Sequence, residues 1–327
     1  MVSEAAATED TVDCTVERWP FALPDGASLR VTRYDPQSAA RGTFVVLHGF
    51  GEFTEKYELC TARLRRLGFA VLTFDWRSQG LSSRYPESQR RGYVRDFDVL
   101  LDDLEALLDS DRCKALPQPL WLLGHSMGGM LALRMVERLQ SQGDWQQSWA
   151  GCVLSAPMLG IYRLPRWFIS TVARLQLWRG KAADFAWGAG ELDPKTAENR
   201  ITSDSARFAE IMAMLEAEPD LRTHGATWGW LAAAARLMRG SVRRRRLRGY
   251  AMPMLLLSPG EDVIVDADLH RKFAARCAAC EYLYLPESRH EPLQETPAIQ
   301  DAVYAALGAF VDRVEAGRRA SSTSRAE

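Results

Sequence analysis

The segment of this chain with the most specific chemistry is Gly124-His125-Ser126-Met127-Gly128. A serine forced into a tight turn between a strand and a helix tolerates only small neighbours, hence glycines two before and two after. The apolar run Leu120 to Leu123 precedes the turn, and a helical stripe through Met130, Leu131, Arg134 to Val136 and Leu139 follows it. In that setting the helix N-terminus aims amide N–H groups and its positive dipole end at an anion forming beside Ser126. The chemistry implied is attack by Ser126 on a carbonyl, with a covalent acyl intermediate.

A serine hydroxyl needs a base. Of five histidines, His290 follows a late strand-like run, Tyr282 to Leu285, where the chain order serine, acid, histidine demands it. His48 belongs to a glycine-rich loop, His125 sits in the turn itself, and His224 and His270 fall in helical or inserted segments. The acid belongs just past the run Met254 to Leu257, at Gly260-Glu261-Asp262. Asp262 fits best, with Glu261 and Asp266 as competitors. His48-Gly49-Phe50-Gly51-Glu52 follows the first strong apolar run and has the form of an oxyanion loop. The backbone N–H groups of Phe50 and Met127 are the expected donors, each worth roughly 3 kcal/mol to the transition state.

These residues require elements that bring them to one edge. Thr43 to Leu47, Phe69 to Phe74, Leu120 to Leu123, Cys152 to Leu154, Met254 to Leu257 and Tyr282 to Leu285 are strand-like, and runs apolar on both faces imply a buried parallel sheet. Between them, Phe97, Leu100, Leu101, Leu104, Leu107 and Leu108 share one helical face. Strand and helix alternate, so the class is α/β. Cys14 to Leu23 and Ser28 to Tyr34, around Pro24-Asp25-Gly26, predict a hairpin. Pro297 opens a last helix through Ile299, Val303, Leu307 and Phe310. From Pro157 to Tyr250 the strand signal lapses, and this helical segment holds five of the ten tryptophans, Trp167, Trp178, Trp187, Trp228 and Trp230. That density suggests an apolar substrate channel, with ordinary packing as the alternative for each ring. The expected division is 13–156 and 251–316 for the core, 157–250 for a cap, and disorder at 1–12 and 317–327.

Composition narrows the function classes. Forty-one basic and 42 acidic residues give a net charge of -1, which offers no general pull toward nucleic acid. The run Arg243 to Arg246 with Arg248 reads as a solvated face, with contact to anionic lipid headgroups as the alternative. Six scattered cysteines suit a reducing compartment, and Cys277-Ala-Ala-Cys280 lacks a second pair or a histidine cluster, so no metal is expected. With no basic-then-apolar leader and no run of about 18 apolar residues, a cytoplasmic location is expected, at most peripheral to the inner face of a membrane.

Beyond these derivations, the residues resemble the monoacylglycerol lipase and lysophospholipase branch of the α/β-hydrolases, which is serine aminopeptidase S33-like. His48 to Glu52 with Tyr57, Asp75-Trp76-Arg77-Ser78-Gln79-Gly80-Leu81-Ser82, Gly124 to Gly128, Gly260 to Asp262 and Arg289-His290-Glu291 are similar to its segments. So are Asn199 to Asp204 and Thr227 to Trp230 in its cap. The resemblance implies a mostly parallel eight-stranded sheet flanked by helices, with a helical cap after strand six. It also implies single-chain lipid esters, monoacylglycerols or lysophospholipids, as substrates, and no cofactor. Ser78 departs from the branch, which usually has glycine there. Epoxide- and halide-processing relatives resemble an aspartate elbow instead, and a peptidase would need charged groups for a peptide terminus. A hydrolase-fold binding module without chemistry is the competing class. Oligomeric state is not encoded in these motifs.

Overall fold

The computed structural model describes residues 15–88 and 90–326. Eight strands form one sheet: β1 Val16–Ala22, β2 Ser28–Tyr34, β3 Thr43–Leu47, β4 Ala70–Phe74, β5 Leu120–His125, β6 Trp149–Ser155, β7 Met254–Pro259 and β8 Cys280–Leu285. Their order across the sheet is β1-β2-β4-β3-β5-β6-β7-β8. β1 and β2 form the expected hairpin, β2 lies antiparallel to β4, and every pairing from β4 to β8 is parallel. Cys14, the expected start of the hairpin, lies outside the described residues.

The strand period of two divides the core. Val45, Leu47, Leu122 and Leu154 face one side, with α2 Phe97–Leu108, α4 Met127–Gln142 and α9 Ala267–Ala274 over them. Phe44, Val46, Trp121 and Val153 face the other, under α1 Glu58–Arg66 and α10 Pro297–Ala326. A single-turn α3, Asp111–Lys114, follows α2. Burial on both faces explains why β3 to β7 read as continuous apolar runs. β8 departs from that expectation. It is the sheet edge, and Tyr282 and Tyr284 stand exposed to solvent.

Between β6 and β7 come α5 Arg166–Trp178, α6 Ser205–Ala217, α7 Trp228–Leu237 and the single turn α8 Arg244–Leu247, with no strand among the described residues there. α7 is capped by Thr227, whose Oγ1 accepts from Trp230 N and donates to Gly92 O at 2.8 Å, tying the insertion to the core. Residues 317–326, expected to be disordered, continue α10 instead. The Arg318 guanidinium donates to Trp149 O at 2.7 Å and Arg319 sits one turn from Glu315 at 3.6 Å, so tertiary contact and an i,i+4 pair support a polar stretch that periodicity alone could not. Among the described residues no helix is long and apolar enough to cross a membrane.

His270 of α9 is buried, with Nε2–H donating to Pro157 O at 2.8 Å and Nδ1 facing Ser258 Oγ at 3.2 Å. Burial pulls its pKa down to about 4, and that of His125 to about 3. An unfolded chain protonates both near pH 6.5, so it binds more protons than the folded one below that value. Stability present above about pH 6.5 is therefore lost progressively as pH falls toward 4. The urea midpoint should be lower at pH 5 than at pH 7, and the drop should be smaller in His270→Gln. Equal drops in both proteins would mean that the imidazole is not the source.

Candidate active site

The parallel strands deliver the expected residues to one edge of the sheet. Leu47 at the end of β3 pairs with Gly124 of β5, and His125 pairs with Ser155 of β6. Ser126 follows at φ 53° and ψ -115°, a strained conformation, at the N-cap of α4. Packing over-determines that strain. A Cβ on Gly128 would collide with the carbonyls of Leu47 and His48, and one on Gly124 would meet Gly128 O at 2.5 Å. Ser126 N donates to Ser155 O at 2.9 Å, and Ser126 O accepts from Met130 N and Met158 N. The side chain is left free of the turn's own backbone bonds and is buried.

His290 Nε2 lies 2.9 Å from Ser126 Oγ, and His290 Nδ1 lies 2.7 Å from Asp262 Oδ2. Because a carboxylate only accepts, Nδ1 carries the proton and Nε2 is left to accept from the hydroxyl. The second oxygen of Asp262 accepts from Ile264 N at 2.7 Å and Val265 N at 3.0 Å, which fixes the carboxylate plane. Burial alone would raise the Asp262 pKa, but the hydrogen bond and charge of His290 outweigh it and hold it below the ordinary value. Asp262 is thus the carboxylate brought to the imidazole. Glu261 is exposed and Asp266 instead caps α9 through Asp268 N.

Met127 begins α4, so its N–H has no intrahelical acceptor. Phe50 sits between two anchored peptides. Gly49 N donates to Glu52 Oε2 at 2.5 Å, and Gly51 N donates to Gln79 Oε1 at 2.6 Å. Gln79 Nε2 also reaches Met127 Sδ at 3.9 Å, so one amide side chain ties the His48 loop to the serine turn. Gln79 is held by the loop from Asp75, whose buried carboxylate accepts from Thr54 N, Leu81 N and Arg30 Nε. Ser78 in this loop has φ 68°, a left-handed value that favours glycine, and its Oγ accepts from Tyr85 N at 3.1 Å.

A buried ionic cluster, which local sequence reasoning missed, stands behind His290. Lys56 Nζ donates to Glu52 Oε1 at 2.6 Å and also contacts Glu291 Oε1. Glu52 Oε2 accepts from Tyr57 OH at 2.6 Å, and Glu52 Oε1 lies 3.6 Å from His125 Nε2. Burial pushes both carboxyl groups toward protonation. The Lys56 ammonium overrides this for Glu52, which stays well below the usual range, but not for Glu291, whose pKa is raised. Glu52 and Lys56 are spaced i,i+4, the one local signal of the pair. Nothing local marked Glu291. Glu52, His125 and Glu291 bring potential ligand atoms within 4.8 Å of one another, the spacing of a cation site, but the Lys56 ammonium already bridges the two carboxyl groups.

Ser126 and His290 open on a cavity of about 350 Å³. Its apolar wall includes Phe53, Ile201, Ile211, Leu215 and Val265, and Glu52, Lys56 and Glu291 form a polar end. The apolar channel suggested by the insertion's tryptophans is present, but only one of them contributes to it and ordinary packing or exposure accounts for the rest. Of the five tryptophans of the insertion only Trp230 lines this cavity, Trp228 is buried against Trp187, and Trp167, Trp178 and Trp187 are 70%, 83% and 70% exposed. The wall is largely aliphatic because α6 supplies Ile211, Met212 and Leu215 to it. A larger open groove of about 1050 Å³ passes Asp262 and Glu261 without reaching Ser126 or His290.

Gly128→Ala should cost at least about 2 kcal/mol, because the added methyl meets backbone rather than a yielding side chain. Gly190→Ala, where nothing lies within 4 Å, is the control that should melt like the parent. Matching melting curves for the two variants would refute the packing account of the turn.

Residues 38–297 match the family described as serine aminopeptidase, S33. The chain is 26% identical over 303 residues to lysophospholipase L2 of Escherichia coli (strain K12), covering 90% of this chain and 86% of that protein. It is 24% identical to the monoglyceride lipase of Saccharomyces cerevisiae, covering 92% of this chain and 95% of that one. A solved structure of a soluble variant of the yeast monoglyceride lipase superposes with a TM-score of 0.71 at 23% identity, over 93% of this chain and 98% of that chain. A sheet with one antiparallel hairpin, an insertion after β6 and a family match across both halves of the core converge. The chain belongs to the serine aminopeptidase S33 family of hydrolases, in the α/β-hydrolase branch that includes monoacylglycerol lipases and lysophospholipases.

Proposed function

We propose that the chain is a serine hydrolase that cleaves carboxylic esters of single-chain lipids, monoacylglycerols or lysophospholipids, through an acyl-enzyme intermediate. The observation that carries the reading is the unbroken chain of hydrogen bonds from Asp262 through His290 to Ser126, opening on a mainly aliphatic cavity. Ser126 Oγ attacks the ester carbonyl while His290 Nε2 takes its proton, and Asp262 stabilises the imidazolium. Phe50 N–H and Met127 N–H receive the oxyanion. His290 returns the proton to the departing alcohol, and water then repeats the sequence to release the fatty acid. The family's curated relatives named as lysophospholipase and monoglyceride lipase support a lipid ester as substrate.

A second element of the proposal is contact with a lipid surface in a cytoplasmic setting. On α5 the side opposite the buried Ile169 and Ala173 carries Trp167, Phe168, Leu175 and Trp178, all exposed, and Leu164 precedes them. Arg163, Arg166, Arg174, Arg179 and Lys181 flank this stripe. A helix that is apolar toward both core and solvent, edged by cations, suits the boundary of an anionic bilayer. In the run Arg243 to Arg248, Arg246 Nε is paired to Glu137 at 3.0 Å.

Hydrolysis of p-nitrophenyl esters of rising chain length, a monoacylglycerol and a lysophospholipid should favour the long monoacyl lipids. It should vanish in Ser126→Ala and fall by roughly 10³- to 10⁴-fold in Asp262→Asn. Retained turnover in Ser126→Ala would end the mechanism, and activity confined to short esters would end the lipid assignment. For the surface contact, Trp167→Gln with Trp178→Gln should weaken sedimentation with phosphatidylglycerol vesicles and lower turnover of vesicle-borne monoacylglycerol more than that of a water-soluble ester. Undiminished sedimentation would remove α5 from the proposal.

A further inference from the structure

The polar end of the cavity has an unusual charge composition. Lys56 is the only lysine or arginine among the described residues that line it, and its ammonium is engaged by both Glu52 and Glu291. Arg207 approaches from α6 but does not line the cavity. Its guanidinium is committed to Glu210, to Gln294 Oε1 and to the Lys56 carbonyl. Two carboxyl groups therefore share one ammonium, and Asp262 adds a third carboxylate behind His290. Whether or not Glu291 holds a proton, no net positive charge remains for a ligand.

Glu291 also carries an unmet demand. Its side chain is 2% exposed, one oxygen contacts Lys56, and the other, Oε2, is buried without any hydrogen-bond partner. Buried polar atoms are seldom left unpaired, so an orphaned acceptor on a residue that lines a cavity is a place for a ligand's donor. Glu291 follows His290 directly, and its amide is clipped to Ile201 O at 3.0 Å, so the carboxyl group is held at the cavity wall beside the reacting centre. In the lipid-ester reading the aliphatic side chains of α6 take the acyl chain, which leaves the alcohol half of the ester to the polar residues.

We propose that Glu291, with Glu52 and Lys56, selects the alcohol: uncharged polyols such as glycerol, whose hydroxyl donates to Glu291 Oε2, are accepted, and headgroups carrying a phosphate are disfavoured. A phosphate would meet carboxylates where its charge needs a cation, and the one cation present is already neutralised. Glu291 is thus a specificity-determining residue. The proposal rests on the lipid-ester reading above and decides between its two substrate classes.

The test compares kcat/KM for 1-oleoylglycerol, oleoyl lysophosphatidylcholine and oleoyl lysophosphatidylglycerol in neutral detergent micelles, so that the acyl chain is constant and only the headgroup varies. The wild type should prefer the uncharged glyceride over the anionic lipid by more than about tenfold, with the zwitterion between them. In Glu291→Gln, which removes the charge and keeps the shape, that ratio should fall at least threefold, mainly through KM. Equal or greater use of the anionic lipid by the wild type would overturn the proposal, as would a ratio unmoved in a folded Glu291→Gln. Should that variant not fold, inhibition of wild-type p-nitrophenyl butyrate hydrolysis serves instead. Glycerol should compete and glycerol 3-phosphate should not, and the reverse order overturns the proposal. Failure to hydrolyse any of the three lipids is a separate outcome, which removes the lipid-ester reading itself and the selectivity with it.

Discussion

The turn at Ser126 sets the terms for everything around it. A non-glycine residue at φ 53° is costly, and it persists because α4 begins directly against the carbonyl ends of β3. That close approach is what Gly128 permits, and it has two effects. It lifts the serine side chain clear of its own backbone, and it brings the first amide of α4 level with the His48 loop. Any side chain at Gly128 would push the helix away and undo both at once. The hydrogen bond of Ser126 N to Ser155 O shows that β6 shares in holding the turn.

The loops that complete the site are fixed by buried charge as well as by apolar packing. Asp75 gathers Thr54, Leu81 and Arg30, and Glu52 gathers Gly49, Lys56 and Tyr57. Isolated, either carboxylate would be expensive to bury, so each is surrounded by donors and a cation. The payment is repaid in geometry: peptides on both sides of Phe50 are pinned, one by Glu52 and one by Gln79. His290 is held from the insertion as well. Arg289 N and Ser203 N both donate to the Glu295 carboxylate, and Arg289 reaches the carbonyls of Asn199 and Thr202. The insertion is therefore part of the site's support and not only its cover.

The insertion divides its apolar residues between two tasks. α6 turns Ile211 and Leu215 inward to the cavity, while α5 turns Trp167, Phe168 and Trp178 outward. Large aromatics left exposed to solvent suit an external apolar phase, whereas a flexible acyl chain is well accommodated by aliphatic walls. The proposed lipid surface and the proposed lipid ester thus draw on different faces of the same helical layer.

Much of this was legible in the sequence because its signals are local. The β3 to β7 runs are short and apolar on both faces, the glycines flank Ser126 at fixed offsets, and the order of Ser126, Asp262 and His290 along the chain follows from the order of the strands that carry them. Asp262 could be preferred over Glu261 and Asp266 by position. Other features depend on contacts between residues far apart in sequence. The meeting of Lys56 with Glu291 spans 235 positions, and the bond of Ser126 to His290 spans 164. The exposure of β8 depends on its place at the sheet edge, and the helix beyond Gly317 on Arg318 finding Trp149. The tryptophans of α5 and α7 look alike in sequence, and packing alone sent Trp230 inward and Trp178 to solvent. The sequence by itself determined the element types and the chemical groups, because propensity, period and turn chemistry act over a few residues. Only the tertiary structure decided which buried charges meet and which apolar face is left uncovered, because those depend on three-dimensional proximity that no local pattern encodes.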